Sequence, residues 1–95
     1  MSRGPDVLLG RLPSDITAGD YWKVVDTDGM LVKWLVAVPM SYGFALANLV
    51  NHTVREHEDG TISVRPGDGS SNSILVTGHH GEQWHGYIER GEFTP

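Results

Sequence analysis

Residues 71–93 read SNSILVTGHHGEQWHGYIERGEF, two β-favouring runs on either side of a polar, glycine-rich break. Ile74, Leu75 and Val76 form an apolar run, Gly78 to Gln83 supply turn residues, and Trp84 to Glu89 return to aromatic and β-branched side chains, a pattern that predicts a hairpin. Side chains alternate across a strand, so Trp84, Gly86 and Ile88 share one side while His85, Tyr87 and Glu89 share the other. The first side is the natural core, matched across the turn by Ile74 and Val76. Gly86 beside the indole leaves room for a close approach of backbone or ring. Gly91 ends the second strand, and Phe93 offers a last anchor near the terminus.

Two further hairpins are legible upstream. Residues 21–26 and 30–38 are β-rich and flank Asp26-Thr27-Asp28-Gly29, a polar connection ending in glycine. Trp22 and Val24 share a face, as do Val32, Trp34 and Val36, with Leu31, Lys33, Leu35 and Ala37 opposite. A strand apolar on nearly both sides belongs at the centre of a sheet, and Pro39 is expected to end it. Residues 52–56 and 61–65 form the third hairpin around Glu58-Asp59-Gly60. A two-residue Asp-Gly loop would set Arg55 opposite Val64. A three-residue loop with Gly60 left-handed sets Val54 opposite Val64 and Glu56 opposite Ile62, which keeps the apolar residues on one face and is preferred.

The remaining segments are shorter of signal. Residues 41–50, SYGFALANLV, fit a short helix through Phe44, Leu46 and Leu49 or a strand, and the residues leave both open. Residues 1–11 mix glycine, proline and charge around Val7, Leu8 and Leu9, which suggests a loosely held arm or short edge strand, with residues 1–6 expected to be mobile. Pro13-Ser14-Asp15 marks a turn in which Ser14 or Asp15 can cap orphan amides. Residues 66–72 form a glycine- and serine-rich loop without the lysine of a phosphate-binding loop. The fold class expected is mostly β: a hairpin meander forming a small sheet or a partly open barrel or sandwich, with at most one or two short helices.

A chain of 95 residues with 39% apolar and 20% charged side chains is expected to make one small domain, residues 1–95. No apolar run is long enough to span a bilayer as a helix, and no secretion signal is legible at the N-terminus, so the protein is expected to work in the cytoplasm where it is made. The absence of cysteine excludes disulfides, thiolate zinc sites and thiol catalysis. A net charge of -5 argues against broad binding to nucleic acid.

Five histidines are the obvious candidates for chemistry. His79, His80 and His85 form the set that a metal would use, supported by His52 and His57 only where two hairpins pack side by side. The spacing does not demand convergence, and exposed turn histidines are the plainer reading. A hydrolase would recruit Ser71 or Ser73 with His85 and Glu82, but no nucleophile elbow surrounds either serine. Carboxylate pairs drawn from Glu56, Glu58, Glu82 and Glu89 read as solvated strand and turn charges. Trp22, Trp34 and Trp84 fall on inward strand faces and are expected in the core. His85, Tyr87 and Glu89 present an aromatic, an imidazole and a carboxylate on one strand face, a combination suited to a protein contact.

Two segments carry a resemblance. HTVREHEDGTISV at 52–64 and WHGYIERGEF at 84–93 resemble a small-protein family common in actinobacterial phages and prophages, in which an EHEDGT hairpin precedes an apolar SIL strand and a WHGY strand near the C-terminus. Some of those proteins place cysteines between the two motifs in a pattern suggestive of a metal knuckle. Here the region from Ser70 to Gln83 has none, and His79 and His80 would substitute only in part. The resemblance implies a source and no activity. The expectation is therefore a phage or prophage accessory protein that works by binding a host or phage protein, without catalysis and without a cofactor, and whose exposed strand edges offer a route to a homodimer. A histidine-dependent metal protein, hydrolytic in function, is the rival from another class, and a minor virion or assembly component is the third.

Overall fold

The computed structural model describes residues 3–67, 73–78 and 80–95, and among these there is no helix. The strands are β1 (Val7–Leu8), β2 (Tyr21–Val25), β3 (Leu31–Met40), β4 (Gly43–Asn48), β5 (Arg55–Glu56), β6 (Ile62–Ser63), β7 (Ile74–Thr77), β8 (Gln83–Glu89) and β9 (Glu92–Thr94). They form a curled half-barrel sheet in the order β1-β2-β3-β4, a small β5-β6 sheet and a β7-β8-β9 sheet. The mostly β class read from the sequence is the one observed.

The half-barrel is organised on β3, whose residues from Trp34 to Val38 are buried on both faces. On the inner face Tyr21, Trp34, Val36 and Val38 meet Leu49, just after β4, and Ile62, Val64, Ile74 and Ile88 from the smaller sheets and the bridge between them. On the outer face Trp22, Val24, Leu35 and Ala37 are covered by Val7, with Ile16, Phe44 and Leu46 at the margin. From Trp34 to Val38 an apolar residue on either side of β3 therefore has a partner, which is why that stretch lacks simple alternation. Complete burial of a side chain such as Ile88 or Val36 removes it from water at a gain of about 1.5–3 kcal/mol.

The Asp26 turn closes the first hairpin as expected: Asp26 Oδ1 accepts from the N–H of Asp28 and of Met30, each at 2.9 Å. The β5-β6 register is the three-residue one, with Glu56 opposite Ile62, Arg55 opposite Ser63, and Gly60 left-handed at φ 87°. Val64 then exchanges two main-chain hydrogen bonds with Ile88, of 2.8 and 2.9 Å, and so ties this hairpin to β8. In the last hairpin Ile74 lies opposite Gly86 and Val76 opposite Trp84, on the inward face.

Three readings change, and one left open is decided. Pro39 does not end β3, which continues to Met40 opposite Gly43. The Ala37 N–H points to the β2 side, donating to Asp20 O at 2.9 Å, so the N–H that proline lacks two residues on would face the same side, beyond the start of β2 at Tyr21. Residues 43–48, left open between helix and strand, are β4, with Ala47 turned toward the inner core and Phe44 and Leu46 toward the outer one. Near residue 15, the amide at Thr17 is capped by Asp20 Oδ2 at 3.0 Å and not by Ser14 or Asp15. The N-terminal arm forms β1 as a short parallel edge, and Gly4 lets it lie on Trp22: a Cβ there would sit 2.0 Å from the indole Nε1. Trp22 and Trp34 are core residues as expected, whereas Trp84 is half-buried near the hairpin tip against Phe93, with ring centroids 6.0 Å apart.

Candidate recognition surface

The outer face of the β7-β8-β9 sheet collects the residues that alternation singled out. His85 and Glu89 are exposed and Tyr87 is half-buried, all on the side of β8 turned away from Ile88. Cross-strand pairing places Leu75, 60% exposed, directly opposite His85, and Thr94 opposite Tyr87. Arg65 arrives from the segment after Val64. Its guanidinium carbon lies 5.7 Å from the centre of the Tyr87 ring, and Nη1 is 2.6 Å from Glu89 Oε1. Ser73 Oγ lies 2.9 Å from His85 Nε2. The result is an imidazole, a phenol, a guanidinium and a carboxylate held in place beside an exposed leucine.

Sequence reasoning placed His85, Tyr87 and Glu89 on this face, named Ser73 beside His85 only in the hydrolase arrangement, and missed Leu75 and Arg65. The position of Leu75 was recoverable from register, because Gly78 donates to Glu82 O at 2.7 Å and closes the loop that sets 75 opposite 85. Arg65 had no such signal. It reaches Tyr87 only because Val64 pairs with Ile88, a contact between two hairpins.

The metal and hydrolase arrangements divide differently. His79 and Ser71 lie outside the described residues. His80 sits edge-on to Tyr42, with centroids 6.0 Å apart, while His85 contacts Ser73, so these two imidazoles serve different neighbours. His52 Nε2 lies 3.3 Å from Ser73 O and His57 Nε2 2.6 Å from Ser63 Oγ. Among the described residues no group of three or more His, Cys, Asp or Glu side chains is placed to hold a metal ion. Ser73 and His85 do meet, but Glu82 accepts a hydrogen bond from Ser41 Oγ instead of orienting the imidazole. A serine-histidine pair without that carboxylate lacks the group that fixes the tautomer and supports the imidazolium.

A second charged cluster is structural and was not legible in the sequence. Arg3 Nη1 contacts Glu56 Oε2 at 2.6 Å and Gly60 O at 3.1 Å, while Lys23 Nζ lies 3.4 Å from Glu56 Oε1. Both cations also sit over Trp34, at 5.1 and 5.7 Å from the ring centre. The hydrogen bond from Arg3 holds the Glu56 carboxyl below the usual carboxylate range, with Lys23 adding to the effect and partial burial opposing it. This clasp joins the N-terminal arm, β2, β3 and the β5-β6 turn.

No protein-family model, curated protein or solved structure matches this chain.

Proposed function

We propose that this chain is a small phage or prophage accessory protein that binds a host or phage protein through the outer face of its β7-β8-β9 sheet. The observation that carries the reading is the arrangement of Arg65, Tyr87 and Glu89, in which the ring is stacked and the ion pair closed at 2.6 Å before any partner arrives. Side chains already held in place lose less rotamer freedom on binding, and tyrosine and arginine are the types that dominate interface energies. Leu75 adds an apolar contact that no described neighbour covers, at 60% exposure. The acidic chain, at a net charge of -5, favours a partner with a basic rim.

Affinity capture from host lysate with the parent protein, Tyr87→Ala and Leu75→Glu in parallel tests this. A partner retained by the parent and reduced about tenfold or more by either variant is expected, since such losses correspond to about 1.4 kcal/mol or more at a central contact. Equal retention by all three proteins, or turnover of a substrate by the purified chain, overturns the reading.

A further inference from the structure

The edges of β4 and β7 face one another without pairing. They belong to different sheets with no main-chain hydrogen bond between them, and between them lies a cavity of about 460 Å³ lined by Tyr42, Phe44, Leu46, Val76, Thr77 and Gly78. At one end the gap is closed by side chains: Ser41 Oγ donates to Glu82, and Tyr42 packs on Gly78, where a Cβ would sit 2.7 Å from its hydroxyl. At the other end His52 reaches Ser73 O. The two strands therefore run antiparallel across an open slot.

The direction of the main-chain groups follows from the hairpins. The loop at Ser41 and Tyr42 makes Met40 and Gly43 the closing pair of β3-β4, so Phe44, Leu46 and Asn48 turn their N–H and C=O away from β3 and into the slot. In β7 the Gly78–Glu82 hydrogen bond sets the phase, so Leu75 and Thr77 turn theirs away from β8 and toward β4. Ser73 has the same phase, and its carbonyl is the one the His52 ring approaches, as an incoming strand donor would. Among the described residues neither strand carries a guard on its edge. GFALAN and ILVT contain no charge and no proline, the devices that normally keep an open edge from recruiting another strand.

We propose that this slot takes one extended segment of a protein partner, paired through its main chain to β4 on one side and β7 on the other, completing the curl of the sheet. β7 offers four residues, about 13 Å of strand. The half-buried Ala45 leaves space for an apolar side chain on the core side, and Glu82 at the closed end favours a basic residue at that end of the segment. A second copy of this chain fits poorly, because each of its named strands is already paired in a sheet and would bring that sheet with it. The inference rests on the reading of this chain as a binding protein and uses main-chain groups that the Arg65-Tyr87-Glu89 surface does not.

Selection of random peptides of about seven residues on the purified full chain, followed by amide exchange of the complex, tests it. Enriched peptides are expected to slow exchange at Leu46 and Thr77 about tenfold or more, and to lose about tenfold or more in affinity when alternate peptide nitrogens are methylated. Thr77→Pro and Leu46→Pro each remove an outward N–H that the existing ladders do not use, and each is expected to abolish binding, whereas Thr27→Ala, at an exposed position in the β2-β3 turn, leaves it unchanged. No enrichment, or enriched peptides indifferent to methylation and to whichever proline variant folds, overturns the proposal. A dimer in sedimentation that a proline variant dissolves, with no peptide enriched, overturns it in favour of a second copy.

Discussion

Replacing Gly86 by alanine places a methyl group where the C-terminal end of the chain already lies. The added Cβ would be 2.2 Å from Thr94 O, 2.7 Å from Pro95 Cα and 2.9 Å from Thr94 C, all main-chain or ring-anchored atoms that cannot rotate aside. Ordinary carbon contacts sit at about 3.5–4.0 Å, so the end of β9 must move by about 1 Å or more. That displacement strains the pairing of Tyr87 with Thr94 and the packing of Phe93 on Trp84. Overpacking of this kind costs about 1–3 kcal/mol, against a gain of about 0.4–1 kcal/mol from the stiffer unfolded chain. The expected net loss is about 1–2 kcal/mol, read as a lower urea midpoint by tryptophan fluorescence at unchanged slope. Deleting Thr94 and Pro95 removes the obstructing atoms, so in the shortened chain Gly86→Ala should be neutral or slightly stabilising. An equal loss in both backgrounds, or stabilisation of the full chain, would refute the claim that the chain end crowds this glycine.

Arg90 and Gly91 form the β8-β9 loop with positive φ at both positions, 46° and 82°, the backbone of a type I′ turn. Arg90→Asn should raise stability by about 0.5–1 kcal/mol in the same urea assay, since asparagine tolerates the left-handed region better than arginine. For Glu56, the folded pKa is lowered, so its contribution is present above the unfolded carboxylate value and disappears as pH falls through the folded one. The stability difference between the parent and Glu56→Gln should therefore be largest near about pH 7, shrink toward about pH 3, and at most reach about 1 kcal/mol for a pair this exposed. A difference that stays constant across that range would remove the clasp as its source.

How much of this was legible depended on whether a residue's partner was close in sequence. The β5-β6 register could be chosen because Gly60 and the apolar pair Val54 and Val64 impose the same loop. His85, Tyr87 and Glu89 could be placed on one face from the period of a strand alone. β4 could not be identified, because Phe44 and Leu46 stand at strand spacing while Leu46 and Leu49 stand at helical spacing, and the decision belongs to its pairing with β3. Pro39 was misread for the same reason: whether a missing N–H matters depends on which side of the strand has a neighbour. Arg3, Lys23, Trp34 and Glu56 come from four separate segments, and nothing local to any of them points to the others. Leu75 and Arg65 lie between these cases, the first recoverable from hairpin register and the second only from contact between hairpins.

The outer face of the last sheet is most directly tested by a photo-crosslinking residue at Leu75, introduced into the full chain in a bacterial host and compared with the same residue at Thr27 in the β2-β3 turn. A discrete adduct from position 75 that is absent from position 27 and lost on Tyr87→Ala is the predicted result. The same adducts from both positions, or none from position 75 while position 27 reacts, would contradict it.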